Sequence, residues 1–373
     1  MKWVFWISAL TVAYIYGGYP AWLWLRSRWR PRPVRRAQCT PSVSVVLVVR
    51  NEAGVIQQKM RNLAASDYPA DLLQLVVVSD GSSDGTAELL SRLAEDSRVY
   101  AILKPEGRGK AAGLNDAIRA ASGDIVVFSD ARQQIEPAAI GLLMENFADA
   151  AVGCVSGELM LGDPEAGESG ENMGLYWKIE KSIRQMEAAT GSVMGATGAL
   201  YAVRRELLVP VPPDTILDDV YIPMSVVRQG FRVTFDSRAR AWDLPHQGTR
   251  REFQRKVRTL SGNYQLVQLA PWLLTSENPA RFEFVSHKLM RLLSPFALAA
   301  MLVSSALIAG PVYRGLLLLQ VCFYGLSALQ LVSWIRGPLA RVSNAAFSFV
   351  VLNAAAVFAF ANFVTGRKAV WTP

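Results

Sequence analysis

Two crowded apolar zones, residues 3–25 and 292–366, bracket a middle stretch with the composition of an ordinary soluble domain. No single α/β core can absorb both zones, so their placement constrains this chain more than any other feature. Trp3–Leu25 is long enough to cross a bilayer core, which needs ~20 apolar residues as a helix. It is too long and too aromatic for a signal h-region, and no small-residue cleavage site follows. Arg26, Arg28, Arg30, Arg32, Arg35 and Arg36 come next, broken by Pro31 and Pro33. Arginines beside a span lie on the cytoplasmic side, so the N-terminus is expected outside. A nucleic-acid-binding arm is the weaker reading, because the cluster abuts an apolar span. Three further runs, Leu292–Gly310, Gly315–Ile335 and Asn344–Gly366, are near spanning length and free of acids. With the basic loop between the last two inside, residues 37–285 are cytoplasmic and Arg367 and Lys368 fall outside. The net charge of +8 suits an anionic substrate or an anionic membrane surface. Cys39, Cys154 and Cys322 are widely spaced, without a metal-ligand pattern, and suit a reducing compartment.

The middle alternates strand and helix. "VSVVLVV" (43–49), "LLQLVVVSD" (72–80), "VYAILK" (99–104) and "DIVVFSD" (124–130) read as strands. The first is continuous and β-branched, as for a strand buried on both faces. Helical patterns over 52–65, 86–94 and 110–121 separate them. Such alternation predicts a mostly parallel sheet with right-handed crossovers. Ligands then sit beyond the carboxyl ends of the strands. Those ends carry Arg50-Asn51-Glu52, Ser79-Asp80-Gly81-Ser82 and Asp130. No G-x-G-x-x-G follows the first strand, and no G-x-x-x-x-G-K-[ST] occurs, so the dinucleotide and P-loop cradles are missing. "GRGKAAGLNDAI" (107–118) opens a helix, where free N–H groups and Lys110 favour phosphate.

The ordered set "VSVVLVVRNE", "VVVSDGSSDGT", "GRGKAAGLNDAI", "DIVVFSDA", "GATGALYAVRRELL" and "LDDVYIPMSVVRQGFRV" resembles the family 2 glycosyltransferases. More narrowly it is similar to their membrane-integrated branch, which includes cellulose, hyaluronan and chitin-oligosaccharide synthases. The resemblance implies an α/β GT-A fold (Rossmann-like, mostly parallel sheet) with N- and C-terminal transmembrane helices. The domain layout it implies is a first span over 1–25, a basic linker over 26–40 and a GT-A domain over 41–250. Amphipathic interface helices over 251–290 and three spans over 291–373 complete it. The implied activity is inverting transfer of a hexose or N-acetylhexosamine from a UDP-sugar. The acceptor would be lipid-linked or a polysaccharide, with membrane lipids as neighbours, no nucleic acid, and a homo-oligomer or assembly complex as a further partner. The implied location is the cytoplasmic face of a bacterial inner membrane.

Residue by residue, the resemblance gives Val49, Arg50, Glu52 and Asp80 to the nucleotide, with Asp80 accepting an N–H of the base. Lys110 would neutralise phosphate. Asp219 in "LDD" would be the catalytic base, because inversion is one displacement and a carboxylate must take the acceptor proton as its oxygen attacks. Asp218 beside it would raise its proton affinity. Arg255 and Arg258 occupy the window where processive members carry Q-x-x-R-W. Arg258 suits the leaving diphosphate, but the Gln and Trp are absent, which favours transfer of one or a few sugars. The same window also reads as a basic amphipathic helix on anionic lipid. Gly198 and Ala199 would line the acceptor side. The family's D-x-D reads "DAR", so Asp130 alone would hold Mg²⁺ or Mn²⁺ with phosphate oxygens and water. Alternatively Arg132 supplies the positive charge, or it pairs with Glu136. Asp218 or His246 would assist Asp130 in holding the metal. His287, Lys288 and Arg291 would meet lipid or acceptor phosphates, and Arg204 and Arg205 would face the surface or lipid. The degraded D-x-D also leaves open a catalytically weak membrane scaffold. A nucleotidyltransferase lacks its glycine-rich first loop, and a transporter lacks intramembrane acids.

Overall fold

The structure, a computed structural model, describes residues 1–162, 175–243, 249–331 and 337–367. Its centre is an eight-stranded sheet built from β1 (Val43–Val49), β2 (Leu73–Asp80), β3 (Val99–Lys104), β4 (Ile125–Ser129), β5 (Gln134–Ile135), β6 (Val152–Leu161), β7 (Leu200–Arg204) and β8 (Arg232–Asp243). Their order is β3-β2-β1-β4-β7-β6-β8-β5. The first four strands in that order are parallel, as the sequence alternation requires. β7 then runs antiparallel to both β4 and β6, so the sheet is mixed. All seven residues of β1 are buried, because helices cover both of its faces.

Before the sheet, α1 (Lys2–Ala13) and α2 (Tyr19–Trp29) form one helical rod through a π turn at Tyr14–Gly18. Around the sheet lie α3 (Ile56–Ala64), α4 (Thr86–Leu93), α5 (Lys110–Ala120), α6 (Ala139–Glu145), α7 (Leu175–Thr190) and α8 (Asp218–Arg228). They bury valines and leucines of the strands in two apolar clusters, one on each face. After it come α9 (Thr249–Leu269), α10 (Arg281–Phe284), α11 (Met290–Leu307), α12 (Pro311–Ala328) and α13 (Pro338–Val364).

Among the described residues, three helical segments are long and apolar enough to cross a membrane: Arg281–Leu307, Pro311–Leu331 and Pro338–Val364. The N-terminal rod is not one of them, although it packs on them. Tyr14 and Tyr16 share hydroxyl hydrogen bonds with Ser286 (2.7 Å) and Ser294 (2.9 Å), and Trp6 Nε1 donates to Tyr313 Oη (3.3 Å). α13 departs from the expected path. Phe358, Phe360 and Phe363 pack on Phe253 and Tyr264 of α9, with ring centroids 5.0–6.0 Å apart. The helix therefore runs along the interface helix and ends beside the sheet domain. Arg367 lies on the side of the strand tips, not on the opposite side as the simple alternation of spans implied.

Candidate active site

The carboxyl ends of β1, β2 and β4 meet at one edge, and short polar loops are fixed there by their own side chains. The loop after β2 caps the start of the segment after β1. Ser82 Oγ accepts from Asn51 N (3.1 Å), Asp84 from Ala53 N (3.0 Å) and Thr86 Oγ1 from Glu52 N (3.0 Å). Gly81 has φ +65°, and a Cβ there would lie 2.2 Å from Gly107 N, so the "SDGS" and "GRGK" loops can touch only through glycine. Asp80 is buried and accepts the N–H groups of Arg108 and Gly109, both at 2.8 Å. Its role in this state is to hold the loop that carries Lys110, rather than to meet a base directly.

Lys110 opens α5 and reaches into a nest of acids. Its Nζ lies 3.1 Å from Asp130 Oδ1 and 3.4 Å from Asp218 Oδ2. Burial opposes its charge, but Asp130, Asp218 and Asp219 outweigh burial and hold it charged well above the usual lysine range. Asp219 sits in the first turn of α8, where a helix dipole would favour ionisation. Burial and the neighbouring Asp218 win instead and push Asp219 up to about 6, against the pull of Lys110 and Lys288. Gly198 brings the two halves of the site together: a Cβ there would lie 3.3 Å from Asp219 Oδ2 and 3.7 Å from Asp130 Oδ2. Any side chain at 198 would fill the space between the two carboxylates.

Beside this nest opens a cavity of about 700 Å³, whose lining includes Arg50, Arg108, Lys110, Arg258 and Arg367. The Arg258 Nε is buried with no hydrogen-bond partner among the described residues, which leaves that N–H to a ligand. A cavity of this size with convergent cations suits a nucleoside diphosphate.

Other expected residues fall elsewhere. Val49 is buried in β1 and can offer only its backbone to the site. Glu52 binds Arg132, Oε1 to Nε at 3.0 Å, so Arg132 pairs with Glu52 and not with Glu136. Arg255 lies 3.9 Å from Asp243 and is absent from the cavity lining, because one helical turn separates it from Arg258. Ala199 is buried and contributes its carbonyl, which accepts from Ser129 Oγ (3.0 Å). Arg204 is not a lipid-facing side chain; it donates to the carbonyls of Val152 and Phe147, both at 2.8 Å. Nor do His287 and Arg291 face lipid. His287 is buried between Glu187 (2.7 Å) and Glu180 (3.1 Å), and Arg291 binds Glu180 (2.7 Å). His246 and Lys368 lie outside the described residues.

Two features escaped the sequence reading. Lys59 of α3 is buried beneath the β4 tip and donates to Ser129 Oγ (2.9 Å) and to the Gln133 carbonyl (2.7 Å). Burial lowers it to about 7, with Asp130 opposing. A lysine on an amphipathic helix reads as a solvent-facing residue, and no local pattern marks it as buried. The second is the end of α13, where Asn362, Phe363, Gly366 and Arg367 wall the cavity.

Among the described residues no group of three or more His, Cys, Asp or Glu side chains could hold a metal ion. Asp130, whose side chain is 42 % exposed, is one open carboxylate at the mouth of the nest. One carboxylate plus phosphate oxygens and water satisfies Mg²⁺, so the donor set fits a metal that arrives with its nucleotide.

A mixed sheet with acids at its strand tips, beside a cavity lined by arginines and a lysine, is the arrangement of a GT-A fold. The Glycosyl transferase family 2 model matches residues 44–209, and the chain carries a family 2 glycosyltransferase domain. Relatives include the poly-β-1,6-N-acetyl-D-glucosamine synthase of Staphylococcus aureus (strain MSSA476), 26 % identical over 234 residues, which covers 60 % of this chain and 55 % of the relative. The probable glycosyltransferase YdaM of Bacillus subtilis (strain 168) is 25 % identical over 240 residues, covering 61 % of this chain and 56 % of that protein. The chain thus spans about half the length of the curated relatives it matches. In fold it is similar to the mannosyltransferase PcManGT of Pyrobaculum calidifontis, solved with GDP-Man and Mn²⁺, with a TM-score of 0.75 and 24 % identity. That likeness covers 98 % of this chain and 100 % of the other.

Proposed function

We propose that this chain is an inverting glycosyltransferase that moves a hexose or N-acetylhexosamine from a UDP-sugar to a lipid-linked or polysaccharide acceptor. It would work at the cytoplasmic face of a bacterial inner membrane, in the synthesis of a cell-surface polysaccharide or glycolipid. The relatives named as N-acetylglucosamine polymer synthases favour an N-acetylhexosamine. The observation that carries this reading is Asp219, a carboxylate pushed up to about 6, beside Gly198 and across from Asp130.

The chemistry follows from those groups. The acceptor hydroxyl lies over Gly198, and Asp219 takes its proton as the oxygen attacks the anomeric carbon from the face opposite the nucleotide. The bond from that carbon to the diphosphate breaks, and negative charge grows on the leaving oxygen. Lys110 and Arg258 meet this charge. Lys110 also keeps Asp130 and Asp218 from driving Asp219 still higher. A divalent cation held by Asp130 would supply further charge to the diphosphate.

The test is nucleotide release by detergent-purified protein over UDP-, GDP- and dTDP-sugars, with membrane lipid extract and with Mg²⁺, Mn²⁺ or EDTA. Release from a UDP-sugar, with an inverted anomer in the product by NMR, is the expected result. Release from GDP-sugars alone would overturn the uridine assignment. No release from any donor by folded protein would overturn the enzyme in favour of a scaffold.

A further inference from the structure

A second, smaller cavity shares no residue with the cationic one. Its lining includes Glu158, Trp177, Glu180, Lys181, Arg184 and Thr197. Thr197 precedes Gly198, where a Cβ would meet both Asp219 and Asp130, so this pocket adjoins the space between those two carboxylates. Its groups differ in how far they are already committed. Glu180 is bound by His287 and Arg291, and Arg184 lies 3.6 Å from it. Glu158 is 4 % exposed, and its Oε1 pairs with Lys181 at 2.6 Å. Its Oε2 is buried and has no hydrogen-bond partner among the described residues. A buried carboxylate oxygen without a donor is costly unless a bound group supplies a hydrogen bond to it. Trp177 is half-buried and faces the same space with an indole.

An acceptor for one hydroxyl and a flat apolar wall match the two surfaces of a sugar ring, its hydroxyl edge and its C–H face. The cavity holds about 40 Å³. That is little more than the ~30 Å³ share of one water, so it admits a hydroxyl or hydroxymethyl group and not a whole ring. The ring itself would then lie towards Gly198, within reach of Asp219. Donor phosphates have their own cavity, which leaves this one to the other reactant.

We propose that this pocket is a saccharide subsite that reads the acceptor. Glu158 Oε2 accepts a hydrogen bond from one acceptor hydroxyl, and Trp177 covers the adjoining C–H face. No bond is made or broken there. The assignment deepens the proposed function and rests on it. A site built to bind a hydroxyl discriminates strongly against the analogue without it, so the pocket would set acceptor specificity.

The experiment is saturation-transfer NMR of a β-linked N-acetylglucosamine trisaccharide on the detergent-purified full chain, with UDP present. It compares the wild type with Glu158→Gln, which keeps the side chain's shape, and with Trp177→Ala. UDP affinity is measured in parallel. Expected is trisaccharide binding in the wild type, weakened at least tenfold in each variant, with UDP affinity within twofold. Unchanged trisaccharide binding in Glu158→Gln would mean that water alone satisfies Glu158, and would overturn the proposal. A parallel loss of UDP affinity would assign the pocket to the donor or to folding and overturn it as well, as would a wild type that does not bind the trisaccharide. Glu158-dependent binding without transfer from any donor would keep the subsite and remove the transferase reading.

Discussion

At the scale of single residues, the site is governed by competition for charge. Asp219 has a raised folded pKa, so the native state holds its proton more tightly than the unfolded chain does. Its ionisation therefore costs stability as pH rises from about 4 to about 6. Asp219→Asn is expected to melt at a higher temperature than the wild type above pH 6, with the difference closing below about pH 4. A scan of Tm against pH checks this, and equal melting at pH 8 would contradict it. Arg132 is a different case. It is bound to Glu52 at a surface where an ion pair contributes about 0–1 kcal/mol. Arg132→Ala should change kcat/KM by less than tenfold, while Asp130→Asn should cost more than a hundredfold, measured by nucleotide release. That Asp130, Lys110 and Asp219 lie close together was legible because short motifs mark one strand tip and two helix starts. The sequence could not name the partner of Arg132, which lies 80 residues away.

At the scale of elements, the strand tips are held by helices placed behind them. α3 is the example: Lys59 and Asn62 bind the turn after β4, with Asn62 exchanging hydrogen bonds with the Ile135 backbone, both at 2.8 Å. Ser129, the Lys59 partner, also binds Ala199, so one buried lysine steadies both sides of the carboxylate nest. Displacement by ~1 Å at a reacting centre can cost 10²-fold. Lys59→Met is expected to stay folded by circular dichroism and to lose at least tenfold in kcat. Full activity would show that the tip is rigid without Lys59. The strands themselves were legible because a continuous β-branched run is a strong local signal, and β1 and β3 begin and end where expected. The antiparallel insertion of β7 was not legible, since pairing order depends on contacts that no short segment contains.

At the scale of the whole molecule, the catalytic domain and the apolar helices share one site. α13 packs along α9 and delivers Arg367 to the cavity that holds Lys110 and Arg258. Counting spans placed Arg367 on the opposite side because hydropathy reports length and apolarity but not direction. In a cysteine-free background, Arg367→Cys and Arg132→Cys are expected to react with an impermeant maleimide from the same face of sealed vesicles. Labelling from opposite faces would contradict the path of α13. The most direct test of the account as a whole is the pH–rate profile of kcat/KM for nucleotide release, wild type against Asp219→Asn. The expected wild-type profile falls tenfold per pH unit below about 6, as Asp219 takes up its proton. Asp219→Asn should lose at least ~10²-fold and show no such limb. A variant that retained wild-type turnover, or the same acid limb, would show that another group accepts the proton.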